Sequence, residues 1–217
     1  MATPTQRLVV NCMMMSVDGF AAGLNQRIDQ PFGDHTDGFT DWMFATRSGC
    51  EMLGIDGGEL NADDPFVAHS FDNVGATILG RNMFGVSRGP WTDDDWVGWW
   101  GPNPPHHAPT FVLTHHPRAS IPMEGGTTFH FVTGGIHEAL ELAFATADGK
   151  DVRLMGGAAT VRQYLAAGLV DDLHLVIVPM LIGSGERIFP EMSPPPTYEC
   201  VERTSGTNVT HLRFARR

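Results

Sequence analysis

The sequence predicts an α/β fold, a mostly parallel sheet covered on both faces with an antiparallel hairpin along its C-terminal edge. Three observations predict it. Short apolar runs alternate with segments of helical periodicity along much of the chain, the pattern of strands joined by crossover helices. The run 173–178 is long, β-prone and stopped by Pro179, as a strand buried in such a sheet would be. The tail offers two polar-alternating stretches, 197–203 and 207–214, separated by Ser205-Gly206, which reads as a hairpin.

The elements follow in order. Residues 7–14 read as a buried first strand broken by Ser16-Val17-Asp18-Gly19. Residues 21–62 are rich in Gly, Asp and Asn, with a short helix expected over 40–46; so long a connection inside a compact domain is usually functional. Asp63 is placed to cap a helix with Pro65 in its first turn, running to about residue 73. Strands are expected over 75–80, 110–114 and 128–132. In 136–147, Ile136, Ala139, Leu140, Ala143 and Phe144 fall on one helical face. A strand over 152–155 leads into a helix over 158–167 ended by Gly168. The Trp- and Pro-rich stretch 87–109 and Ser193-Pro194-Pro195-Pro196 read as loops within one domain, 1–217.

The composition narrows the function. A chain of 217 residues with 42% hydrophobic residues supports one sizeable core. A net charge of −11 argues against a nucleic-acid binder, because such affinity rests on clustered Lys and Arg. An anionic ligand would be held locally, by backbone N–H groups and a few placed cations. Cys12, Cys50 and Cys200 are far apart and odd in number, which suggests neither a disulfide framework nor a cysteine zinc site. The apolar stretch 8–15 is too short for a membrane helix and lacks the features of a signal peptide, so a soluble, cytoplasmic protein is expected. Adjacent pairs His106-His107 and His115-His116 point apart on a strand, and no zinc-deaminase signature is present; no metal site is expected.

Four loops carry groups suited to an anionic dinucleotide. In Gly156-Gly157-Ala158-Ala159-Thr160 a strand runs through paired glycines into a helix, which either admits a pyrophosphate to the helix N-terminus or simply closes a tight turn. Gly80-Arg81-Asn82 follows a strand, and the arginine is either a bidentate phosphate ligand or a solvated surface cation. Thr114, His115 and His116 at another strand end offer hydrogen bonds to a ribose or phosphate. Thr133-Gly134-Gly135 opens the helix over 136–147 on what should be the same rim, where ligands of open α/β sheets gather. None matches Gly-x-Gly-x-x-Gly, so a Rossmann domain is unsupported.

These segments, with Met15-Ser16-Val17-Asp18-Gly19-Phe20, Ile78-Leu79-Gly80-Arg81-Asn82, Phe111-Val112-Leu113-Thr114, Gly168-Leu169-Val170-Asp171-Asp172 and Gly183-Ser184-Gly185, appear in a collinear order. The chain resembles the dihydrofolate reductase-like family that includes the reductase domain of bifunctional riboflavin-biosynthesis enzymes, the RibD C-terminal type. It is most similar to its stand-alone bacterial members. The resemblance spans roughly residues 7–214 and implies a three-layer αβα fold, a homodimer and NADPH as cofactor. By the same resemblance Gly156, Gly157, Ala158 and Thr160 would hold the pyrophosphate. Gly80, Arg81, Asn82, Thr114, His115 and His116 would surround the adenosine ribose and 2′-phosphate, with Thr133 and Gly134 beside them. Ser16, Asp18, Gly19 and Phe20, with Val178 and Pro179, would face nicotinamide and substrate. The segment that grips a phosphorylated sugar in riboflavin-pathway reductases has no counterpart here.

The reaction expected is hydride transfer to a C=N or conjugated C=C of a planar heterocycle, pterin-like or pyrimidinone-like. Asp18 is the first candidate as orienter or proton relay, with a plain Asp-Gly turn as the alternative; Asp37 and Asp41 are further candidates for the acid. A nucleotide-binding or sensory module without turnover is the alternative function. Four of the five tryptophans lie within 91–100, where they either cover a core edge or contact, or form a lid over the substrate. The C-terminal strands and the run 173–178 suggest self-association.

Overall fold

The structure, a computed structural model, describes residues 6–93, 95–189 and 197–217. Asp94 of the acidic run and the loop expected at 193–196 lie outside the described residues. The order of elements is β1 (Leu8–Ser16), β2 (Phe20–Ala22), α1 (Asp41–Phe44), α2 (Arg47–Met52), α3 (Asp64–Ala68), β3 (Val74–Gly80), α4 (Arg81–Phe84), β4 (Pro109–Leu113), β5 (Ile121–Pro122), β6 (Thr128–Val132), α5 (Gly135–Thr146), β7 (Asp151–Gly156), α6 (Ala158–Ala166), β8 (Asp172–Val178), β9 (Glu186–Arg187), β10 (Tyr198–Ser205) and β11 (Thr210–Arg216).

Nine strands form one sheet in the order β10-β11-β8-β1-β7-β3-β4-β6-β5, and β2 pairs with β9 in a separate ribbon. The six strands from β8 to β6 are mutually parallel. β11 pairs antiparallel with β8 and with β10, giving the expected C-terminal hairpin. Its turn lies at 206–209 rather than at Ser205-Gly206, because β10 continues through Ser205.

Side-chain alternation sorts the core into two layers. On one face Leu8, Val10, Ile78, Phe111, Leu154, Leu173 and Leu175 pack under α5 and α6. The other face is covered in two parts. Trp42 of α1 and Val67 of α3 lie over Val176 and Val178 of β8, while Trp91, Trp96 and Trp100 lie with Phe84 over Leu79, Val112 and Phe129. The tryptophan segment therefore covers a core edge, with the Trp96 indole N–H donating to Phe84 O at 2.9 Å.

Three further local expectations differ from the structure. The helix after Asp63 ends at Ala68 and continues as a single 3-10 turn, His69–Phe71, so the expected run to residue 73 is broken. Asp63 holds the N-cap position but makes no cap bond; its carboxylate accepts from the distant Thr207 and Asn208 amides at 3.1 and 3.0 Å. The run 173–178 is hydrogen-bonded on both edges, so it offers no edge for self-association; among the described residues β10 is the outermost strand on that side.

Candidate active site

The parallel register brings every predicted site segment to one rim. Ser16 is opposite Val178, Leu79 opposite Gly156, Gly80 opposite Leu113, and Leu113 opposite Val132. Along the rim the exits therefore run Val178-Pro179, Ser16 to Phe20, Gly156-Gly157, Gly80 to Asn82, Thr114 to His116, and Thr133-Gly134. Neighbouring strands are about 4.8 Å apart, so the β8 and β7 exits lie roughly 10 Å from each other with the β1 exit between them.

The N-termini of the two longer helices on this rim, α5 and α6, differ in charge. α5 carries Glu138 in its first turn, and a Cβ built on Gly134 would come within 1.9 Å of Glu138 Oε2. α6 has no acidic residue in its first turn and no side-chain cap. Its free N–H groups and positive dipole end are thus available to an external anion, whereas those of α5 already face a carboxylate. A Cβ on Gly157 would meet nothing within 4 Å, so the space before the α6 N-terminus is open. The Gly156–Gly157 peptide is cis. At Gly80, by contrast, a Cβ would lie 2.2 Å from Thr160 Oγ1, which fixes the close approach of the β3 exit to α6.

Arg81 lies with its guanidinium 3.2 Å over the Trp91 ring and donates from Nη2 to Ser87 Oγ at 3.0 Å. Its Nε and Nη1 are buried and have no hydrogen-bond partner among the described residues. Desolvation, and then repulsion from Arg118 and Arg88, hold its pKa below the usual arginine value. Three cations thus converge near the β3 exit. Thr114 is occupied locally: its hydroxyl accepts from His116 N at 3.1 Å and donates to His116 O at 3.3 Å.

The β1 exit is a staple. Asp18 Oδ1 accepts from Ser16 Oγ at 2.5 Å and from Ile182 N at 3.1 Å, and Oδ2 accepts from Gly183 N at 2.7 Å. These bonds, the Ser16 hydroxyl first, pull the Asp18 pKa down to about 2. An acid held there is ionised at neutral pH, so its geometry is that of an orienter rather than of a proton donor. Ser16 is fully buried and also accepts from Phe20 N at 3.0 Å. Arg187 of β9 closes the ribbon, its guanidinium 4.2 Å over the Phe20 ring and donating to Asp18 O at 3.1 Å. Ser16 and Phe20 therefore shape the loop from beneath.

At the β8 exit a cleft of about 290 Å³ is lined by Val178 and Pro179 together with Asp37, Asp41, Trp42, Met180, Asn208 and Val209. A second, of about 310 Å³, shares Pro179, Asn208 and Val209 and reaches Val17. Asp37 and Asp41 are thus the carboxylates at the pocket, and Trp42, Asn208 and Val209 are wall residues that carried no sequence signal.

The model of the family described as RibD C-terminal domain matches residues 7–212. A search among curated proteins gives no match. Among solved structures, a protein provisionally described as a riboflavin biosynthesis protein, from Shewanella sp. PV-4, is similar with a TM-score of 0.60 and 21% identity over 98% of this chain and 99% of that one. Dihydrofolate reductase from Enterococcus faecalis, complexed with NADP(H) and RAB-propyl, gives 0.51 and 13% over 98% of each chain. At these identities the likeness is one of fold.

Proposed function

We propose that this chain, which belongs to the RibD C-terminal domain family, is an NADPH-dependent reductase of a planar heterocycle. Family and fold are reductase-like. The observation that carries the finer reading is the rim: an uncapped α6 N-terminus with open space before it lies two strands from a carboxylate-lined cleft.

The residues fit an anionic dinucleotide. Gly157, Ala158 and the α6 N-terminus would take the pyrophosphate, with Gly156 and Thr160 shaping the turn. Arg81, whose Nε and Nη1 lack partners among the described residues, would take the 2′-phosphate with Arg88 close by, and this favours NADPH over NADH. Asn82, His115 and His116 border the ribose. Thr133 and Gly134 stand at the outer margin, because Glu138 already occupies their helix end. When bound, the reduced nicotinamide supplies hydride.

The chain's own residues do the rest. Asp18 holds the β1 exit to the 182–183 loop and fixes the floor between cofactor and cleft. Val178, Pro179 and Trp42 present apolar surface to a flat ring. Asp37 and Asp41 accept hydrogen bonds from its N–H groups and orient it, so alignment supplies most of the rate. A proton reaches the acceptor nitrogen through water held at these carboxylates.

Titration of NADPH and NADH against the wild type and Arg81→Ala tests the reading. NADPH should bind at least about tenfold tighter than NADH, and the variant should lose that preference. Equal binding of both by the wild type, or binding of neither, would overturn it.

A further inference from the structure

Beneath the cleft at the β8 exit a line of buried polar groups crosses three strands and ends on α3. β1 carries a bulge between Val10 and Met13, where Cys12 adopts φ 55. The bulge frees the Cys12 amide from the ladder, and it donates to His174 Nδ1 at 3.2 Å. His174 Nε2 lies 3.1 Å from His211 Nδ1, and His211 Nε2 lies 3.0 Å from Asp63 Oδ1. All three side chains are buried: His174 is 3% exposed, His211 and Asp63 0%.

One proton arrangement satisfies every link. The Cys12 amide has only a hydrogen to offer, so His174 Nδ1 accepts, Nε2–H donates to His211 Nδ1, and His211 Nε2–H donates to the Asp63 carboxylate. Both imidazoles are then neutral. A third proton on the pair would set two N–H groups against each other at the Cys12 link or between the rings. Burial, above all, holds the pKa of both imidazoles below the ordinary histidine value, that of His174 at about 3.

The relay touches two walls of the cleft. Asp63 Oδ1 and Oδ2 accept from Thr207 N and Asn208 N, which sets the turn carrying Asn208 and Val209. Trp42 meets His211 edge-on at 5.8 Å, and Phe66 stacks on the His211 ring at 3.7 Å. We propose that His211, linked to Asp63 and His174, is a positioning residue for the cleft at the β8 exit, holding the 206–209 turn and Trp42 in place only while both imidazoles are neutral. This rests on the reading of the cleft as the substrate pocket.

Charged groups face the relay from every element packed against it. From α3, Asp64 is tied to Ser48 through its amide and hydroxyl. From β11 and β10, Arg213 pairs with Asp172 at 3.1 Å and lies 3.7 Å from Glu202, which bears weakly on His211. From β7, Arg153 adds a positive charge that opposes protonation of His174. From β1, the Cys12 thiol is held up at about 11 and stays neutral. From α1, Asp41 stands at the cleft and outside the relay.

Nitrogen-15 NMR of the histidine rings in the wild type tests the relay without any ligand. Both rings should be Nε2–H tautomers and stay so from pH 8 to pH 5, and the Thr207 and Asn208 amides should be protected from exchange throughout. Titration of either ring near 6.5, or an Nδ1–H tautomer, would overturn the proposal. His211→Phe keeps the ring stack and removes both bonds; exchange at Thr207 and Asn208 should accelerate at least about tenfold. Asp63→Asn, which keeps one carbonyl acceptor, should accelerate it less. With 2,4-diaminopyrimidine as a probe of the cleft at pH 7.5, His211→Phe should weaken binding about tenfold and leave NADPH binding unchanged. Wild-type exchange rates in His211→Phe would overturn the positioning role. Failure of the wild type to bind the probe would instead count against the cleft as substrate pocket, and the ring tautomers and amide exchange would still decide the relay.

Discussion

Placing a carboxylate at the α6 N-terminus should have opposite effects on folding and on cofactor binding. Ala159 is exposed in the first turn of this nine-residue helix, which has neither an acid there nor a side-chain cap. In Ala159→Glu the new charge meets the positive helix end, worth about 0.3–1 kcal/mol. Glu forfeits a few tenths of a kcal/mol in helix propensity relative to Ala. The net is between zero and about 0.7 kcal/mol, which raises Tm by no more than roughly 3 °C in a domain of this size. A pyrophosphate at the same helix end would lie roughly 5 Å from the new carboxylate. At that distance repulsion is about 1–3 kcal/mol between the water and near-surface limits, a loss of roughly 5- to 150-fold in NADPH affinity. The loss should shrink with added salt, as screening requires. Calorimetric titration of NADPH at low and moderate salt, beside thermal unfolding, reads both signs, and Ala159→Gln controls for side-chain length. Unchanged NADPH affinity in a folded Ala159→Glu protein would refute the placement of the pyrophosphate at α6.

Four further outcomes are expected. Asp18→Asn should raise KM for the acceptor yet leave the acidic limb of the kcat–pH profile where it is, because a carboxyl with its pKa at about 2 is not the titrating acid; a shifted limb would contradict that. Gly206→Ala would set a Cβ 1.5 Å from Asp63 Oδ1, whose carboxylate is buried and bonded, so unfolding should show a loss of about 1–3 kcal/mol or more; wild-type stability would count against the turn being fixed by Asp63. For His174 and His211, with folded pKa values below the unfolded value of about 6.5, stability is complete above that pH and is lost as pH falls below it, for His174 down to about 3, by at most about 1.4 kcal/mol per unit and group. Urea unfolding from pH 8 to pH 4 should therefore show the wild type losing its advantage over His211→Phe, and a constant gap would contradict the relay. Light scattering should give twice the chain mass of 23.7 kDa, with β10 at the interface; a monomer at micromolar concentration would remove the dimer.

The strands and helices that the sequence made legible are those whose burial is written in local periodicity. α5 carries five apolar residues on one face, and β6 is bounded at Thr128 and Val132 by turn residues. β2 and β9 escaped because they are three and two residues long and exist only by pairing with each other across more than 160 positions. α2 contains Gly49 and has no apolar stripe; it is held by Thr46 accepting from Gly49 N and by Asp64 across the loop. Among site segments, the exits at Ser16, Gly80, Thr114 and Gly156 were readable because each ends a strand or follows one directly. The cleft was only half readable. Val178, Pro179, Asp37 and Asp41 stood out as a strand stop and as acids, whereas Trp42, Asn208 and Val209 converge only once β11 folds back beside β8. Asp63 shows the limit most clearly: next to Pro65 it reads as a helix cap, yet its partners are 144 and 145 residues away.

Hydride transfer can be followed as deuterium passing from NADPH labelled at the nicotinamide C4 to a panel of dihydrofolate, pterins and pyrimidinones, read by mass spectrometry. In a reductase one acceptor should gain a single deuterium as the nicotinamide absorbance falls, and Arg81→Ala should slow this with NADPH far more than with NADH. NADPH that binds at the rim and passes its label to no acceptor would contradict a reductase and leave a nucleotide-binding module in its place.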